Sequence, residues 1–169
     1  MLKSKLFPIA VLLLAAASAQ VAKDESVLQP PAEFNHNLYP PYADAKSDIK
    51  AAINQAAKEN KRVIVEFGAI WCLDCHILDH AFHDPKIQPL LESNFIVVHV
   101  DIGRQQPPKN SELAEKYHIP LEKGIPALAV LDGKGKLLYS QKKGEFESAR
   151  TMTAQQVIEF LNEWKQKKS

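Results

Sequence analysis

The chain has 169 residues, of which 21 are basic and 20 acidic, for a formal net charge of +1. With 46% hydrophobic and 24% charged residues it has the composition of one ordinary globular domain plus tails. Charge therefore implies no nucleic-acid partner and no recruitment to a membrane surface.

The first residues read as a secretory signal. Lys3 and Lys5 give a basic start, Leu6 to Ala17 an apolar core, and Ala17-Ser18-Ala19 an A-x-A cleavage site. The core is too short to span a bilayer comfortably. The expectation is a signal peptide at residues 1–19, a periplasmic or secreted protein, and no stable membrane span after cleavage. The alternative is an uncleaved N-terminal anchor. Residues 20–42 carry Pro30-Pro31 and Pro40-Pro41 without periodicity and read as an extended arm or linker. Phe34, Leu38, Tyr39 and Tyr42 offer that arm apolar surface with which to pack; otherwise it is a tether.

From residue 43 the pattern becomes regular. Ile49, Ala52, Ile53, Ala56 and Ala57 recur at helical spacing over 43–61, with Asp44 or Ser47 as cap. Val63 to Phe67 is an apolar strand broken by Glu66. A helix runs from about Cys72 to Phe82, and Asp84-Pro85 opens a short helix to about Glu92, since proline suits the first helical turn. Phe95 to Asp101 is a second strand. After a loop through Pro107-Pro108, Asn110 or Ser111 caps a helix to about His118. Ile125 to Leu131 is a third strand, Asp132-Gly133-Lys134-Gly135 a hairpin turn, and Lys136 to Gln141 its partner strand. Thr151 or Thr153 caps a last helix with the stripe Val157, Ile158, Phe160, Leu161 and Trp164. Strands separated by helices predict parallel pairing with right-handed crossovers, the hairpin adding an antiparallel edge.

The chemistry sits between the first strand and the next helix. Trp71-Cys72-Leu73-Asp74-Cys75-His76 holds both cysteines of the chain. A strand that turns into a helix puts Cys72 at the helix N-terminus, where unpaired N–H groups and the macrodipole favour the thiolate. Cys75, one turn on, is placed to close a short disulfide, which makes a reversible two-electron couple. A purely structural bridge over four residues constrains the unfolded chain little.

These residues resemble the thioredoxin family over about residues 43–167. The likeness is carried by Val63-Ile64-Val65-Glu66-Phe67 leading to Trp71-Cys72-x-x-Cys75, by the strand ending at Asp101, and by Gly124-Ile125-Pro126-Ala127 with Asp132-Gly133 after it. The resemblance implies an α/β thioredoxin fold over 43–169, a central mixed sheet flanked by helices. It implies that Cys72 attacks, that Cys75 resolves the mixed disulfide, and that Pro126 is a cis-proline beside the disulfide. Ile125 then presents its backbone to a substrate chain, with Trp71 shielding the disulfide. Glu66 falls where the family keeps a buried acid that exchanges a proton with the resolving cysteine; read as a residue alone, it faces solvent or pairs with Lys61 or Arg62. His99 reads as a packed or edge residue. The intervening pair Leu73-Asp74 differs from the Gly-Pro and Pro-His of other members, while Ala69-x-Trp71-Cys72-x-x-Cys75 followed by the Phe82-x-Asp84-Pro85 turn is most similar to exported reductase domains. Asp74 is expected to oppose the Cys72 thiolate, and a protonated His76 to favour it.

The function expected is an exported thiol:disulfide oxidoreductase reducing protein disulfides, with protein disulfide substrates and an upstream electron donor or acceptor as partners. No glycine-rich phosphate loop is present, so no cofactor is expected. Two alternatives remain. His76, His80 and His83 follow the thiols and, with them, suit copper or zinc; the plain reading is solvated helix histidines. Cys72-x-x-Cys75-His76 also matches the c-type haem attachment motif, with Met152 as the one methionine left to serve as distal ligand.

Overall fold

A computed structural model describes residues 26–167; the expected signal peptide at 1–19 lies outside them. Four strands form one sheet in the order β2-β1-β3-β4: β1 (Arg62–Gly68), β2 (Phe95–Asp101), β3 (Ala127–Leu131) and β4 (Leu137–Ser140). The helices are α1 (Ala45–Glu59), α2 (Leu73–Phe82), α3 (Gln88–Asn94), α4 (Ser111–Lys116) and α5 (Ala154–Trp164). Among the described residues no helix is long and apolar enough to cross a membrane.

Local chemistry explains most boundaries. Asp44 caps α1 by accepting from the Ser47 amide, and Asn60 ends it in the left-handed conformation. Thr153 and Gln156 close a reciprocal capping box at the start of α5. The Asp132 carboxylate accepts from the amides of Lys134 and Lys136 and so shapes the β3–β4 turn. The short third helix starts later than expected: Pro85 lies in a turn, and Pro89 occupies the first turn of α3.

The sheet departs from the expected pairing at β3. β1 and β2 are parallel, but β3 runs antiparallel to β1, with Phe67 opposite Ala127 and Val63 opposite Leu131. The link from β2 to β3 leaves and re-enters at the same end of the sheet. It runs through α4, of six residues, without returning to the far end before pairing.

Alternation along β1 divides its side chains between two cores. Val63, Val65 and Phe67 pack against α1 and α4; Ile64 packs against α2, α3 and α5. Each fully buried side chain of this kind contributes on the order of 1.5–3 kcal/mol. The parallel register sets Ile64 beside Val97, Glu66 beside His99 and Gly68 beside Asp101. All six lie on the α2 side of the sheet. The apolar face thus turns polar toward its C-terminal end, under the start of α2.

The segment 26–42 packs on this body. The Leu28 amide donates to the Met152 carbonyl, and Leu28 enters the α2–α5 core. Phe34 stacks on His76 with ring centroids 4.6 Å apart. Leu38 and Tyr39 are buried against Cys72 and Cys75, whereas Tyr42 stands almost fully in solvent. Lys109 ties the end of the segment down by donating to both the Pro41 carbonyl and Asp101 Oδ2.

Candidate active site

Cys72 is the N-cap of α2 and Cys75 lies in its first turn; the two are joined as a disulfide. The Cys75 amide donates to Cys72 Sγ at 3.1 Å, so the cap acceptor of this helix is the sulfur itself. A thiolate there gains an N–H donor and the positive end of the helix. Cys72 keeps 6% of its surface exposed and Cys75 none, so an incoming sulfur reaches Cys72 first. Ile70, Trp71 and Leu73, all more than a third exposed, form an apolar collar around it.

The opposite wall comes from the segment before β3. The Ile125–Pro126 bond is cis, and the Ile125 carbonyl oxygen lies 3.6 Å from Cys72 Sγ. A residue not anticipated from sequence holds this wall. The amide side chain of Gln141, fully buried, accepts from the Leu128 amide at 3.2 Å and donates to the Pro126 carbonyl at 3.3 Å. Trp71 leans the other way. Its Nε1 donates to the Gly103 carbonyl at 3.0 Å, and the Arg104 guanidinium sits 5.1 Å above its ring. Trp71, Arg104, Gln106, Leu121 and Glu122 border a groove of about 570 Å³ on this face.

Asp74 does not act on Cys72 as a bare charge. Its carboxylate is buried and accepts from the Arg150 amide at 2.9 Å, from Nε at 3.0 Å and from Nη2 of the same side chain. Burial alone would raise its pKa, but the Arg150 hydrogen bonds and charge outweigh burial and hold the carboxyl below its usual range. The expected opposition between Asp74 and the thiolate is thus largely cancelled by a cation from the turn before α5.

Glu66 is fully buried, and neither Lys61 nor Arg62 is its partner. Tyr39 donates its hydroxyl to Glu66 Oε1 at 2.9 Å, and His99 Nδ1 lies 2.7 Å from Oε2. Neither Oε2 nor Nδ1 has a hydrogen-bond partner elsewhere among the described residues, so each answers the other. His99 Nε2 is 3.9 Å from Asp79 of α2, and the Tyr39 ring meets the His99 ring edge-on at 5.5 Å. Burial would lower the His99 pKa, but the Glu66 charge, its hydrogen bond and Asp79 raise it above the ordinary histidine value. Burial first, then Glu66, push Tyr39 well above a normal phenol. His99 is therefore more than a packed edge residue. Strand alternation shows only which face each residue takes; the register of β2 against β1 brings His99 beside Glu66.

The histidines after the cysteines diverge. His76 is buried, not solvated; its Nε2 lies 2.9 Å from the Ile70 carbonyl. His83 turns to the Asp79 carbonyl, and His80 is exposed. Among the described residues no group of three or more His, Cys, Asp or Glu side chains is arranged to hold a metal ion. Met152 packs on the α2–α5 core. Neither the metal nor the haem alternative gains support.

Residues 44–133 match the family model described as Thioredoxin-like. The chain is 27% identical over 109 residues to the thiol:disulfide interchange protein DsbD of Colwellia psychrerythraea, covering 64% of this chain and 17% of that protein. It thus spans about a sixth of the length of the curated relatives it matches. A solved disulphide isomerase from Xylella fastidiosa is 33% identical with a TM-score of 0.67, covering 81% of this chain and 98% of its own. The oxidised C-terminal domain of Neisseria meningitidis DsbD superposes with a TM-score of 0.50 at 21% identity, over 70% of this chain and 94% of its own; that likeness is one of fold.

Proposed function

Since the chain belongs to the thioredoxin-like family, we propose that it is an exported thiol:disulfide oxidoreductase that reduces disulfides of other proteins through Cys72 and Cys75. One observation carries the reading: Cys72 Sγ is the capping acceptor of α2 and is rimmed by exposed apolar side chains, with Cys75 closed off behind it. Export is supported by the basic start, the apolar core and Ala17-Ser18-Ala19.

In the reduced chain, the Cys72 thiolate attacks one sulfur of a substrate disulfide. A bond forms between Cys72 and that sulfur, and the other substrate sulfur leaves as a thiolate. Cys75 loses its proton and attacks Cys72, which expels the second substrate thiolate and closes the disulfide. The substrate gains two electrons and the pair loses two. A thiol donor reopens the bridge for the next cycle. The substrate backbone lies extended against Ile125 and Pro126, and its side chains meet the collar of Ile70, Trp71 and Leu73.

The test is turnover of insulin disulfides with a dithiol reductant. The wild-type chain accelerates insulin precipitation, and Cys72→Ser abolishes the acceleration; equal rates with and without Cys72 would sink the proposal. Trapping partners on Cys72 in a Cys75→Ala variant identifies the substrates. Isomerisation is a second reading, favoured by the relative described as a disulphide isomerase. It shares the first step, and recovery of ribonuclease activity from a scrambled-disulfide form separates the two.

A further inference from the structure

Gly68 ends β1 directly beneath the disulfide. A Cβ placed on it would lie 2.1 Å from the Tyr39 hydroxyl oxygen and 3.0 Å from Cys75 Sγ. The phenol and the inner sulfur therefore flank one point, left open because residue 68 has no side chain. On its other side the same hydroxyl donates to Glu66 Oε1 at 2.9 Å. Tyr39 is 2% exposed and belongs to the segment ahead of α1, 27 positions before Glu66. The stretch ahead of α1 thus supplies a hydroxyl that is hydrogen-bonded to the buried acid and borders the same open point as the resolving sulfur.

We propose that Tyr39 is a proton relay for Cys75: as the mixed disulfide resolves, the Cys75 thiol proton passes to the Tyr39 oxygen while the Tyr39 proton passes to Glu66. This rests on the thiol-exchange reading above. The balance is closed. Cys75–SH and the mixed disulfide on Cys72 give the Cys72–Cys75 disulfide, one substrate thiolate, and a proton on Glu66; no further reductant or oxidant enters. Burial keeps the phenol protonated, so it hands on a proton rather than storing charge. The titratable groups facing this cluster are Tyr39 from the arm, His99 and Asp101 from β2, and Cys75 and Asp79 from α2, with His76 and His83 acting on Asp79. His99 holds the second oxygen of Glu66 and so leaves Oε1 to receive the proton.

The test uses the full reduced chain mixed with Ellman's reagent. The first thionitrobenzoate released reports attack by Cys72, and the second reports resolution by Cys75. In Tyr39→Phe the second phase slows about tenfold or more near pH 6 and climbs steeply as pH rises, while the wild-type second phase is much flatter. The first phase moves less than about twofold. Combining Tyr39→Phe with Glu66→Gln costs no more than the worse single change, because both break one chain. A second phase in Tyr39→Phe that follows the wild-type pH profile overturns the relay, as do multiplying losses in the double variant. If Tyr39→Phe does not fold, Glu66→Gln alone carries the test, and an unchanged pH profile there overturns it equally. A wild-type chain that gives no second phase defeats the exchange reading itself, a distinct outcome.

Discussion

His99 Nδ1 lies 2.7 Å from Glu66 Oε2, directly across the parallel pairing of β2 with β1. The Glu66 charge overcomes the burial that would lower the His99 pKa and raises it above about 6.5. A raised histidine stabilises the folded state fully below its unfolded pKa, and that contribution disappears as pH rises through the folded value. The melting temperature of the wild-type chain should therefore fall as pH climbs from about 6.5 into the alkaline range. In His99→Gln the fall flattens, and stability near pH 6 drops by about 2–3 kcal/mol as Glu66 loses its cation. Melting curves across pH for both proteins check this; parallel curves would count against the pair.

Arg150 binds the first turn of α2 and bears on the outer sulfur. Its guanidinium and amide hold Asp74 two residues after Cys72. Arg150→Ala leaves a carboxylate uncompensated in the first turn of α2, where negative charge competes with the Cys72 thiolate. The rate of Cys72 alkylation by iodoacetamide near neutral pH should fall about two- to fivefold. Asp74→Asn should raise it. Opposite signs in the two variants are the diagnostic result, read from the pH dependence of alkylation.

Gln141 acts on the other wall of the site. Replacement by Leu leaves the Leu128 amide and the Pro126 carbonyl without their side-chain partner in a buried position. That costs about 1–3 kcal/mol in urea denaturation. Insulin turnover should fall further than stability alone explains, because the Ile125 carbonyl beside Cys72 loses its support. A variant as active and stable as the wild type would contradict this role.

Leu38 tests whether the arm belongs to the cooperative unit. It is 5% exposed and packs beside Cys72, Cys75 and Tyr39. Leu38→Ala should lower unfolding free energy by about 2–3 kcal/mol, with a single transition retained. A loss below about 0.5 kcal/mol would mean that the arm docks loosely.

What the sequence determined by itself is local. Helix periodicity, the caps narrowed to Asp44 or Ser47 and to Thr151 or Thr153, the Asp132 turn and the placement of Cys72 at a helix start all follow from residues within one or two turns of each other, because caps and side-chain spacing act over that range. The antiparallel run of β3, the Asp74–Arg150 pair 76 positions apart and the buried set Tyr39, Glu66 and His99 were decided only in three dimensions. These depend on which end of the sheet the chain re-enters, on the register between two strands, and on an arm that folds back over a glycine. No local pattern encodes such meetings, since each is fixed by packing among segments distant in sequence.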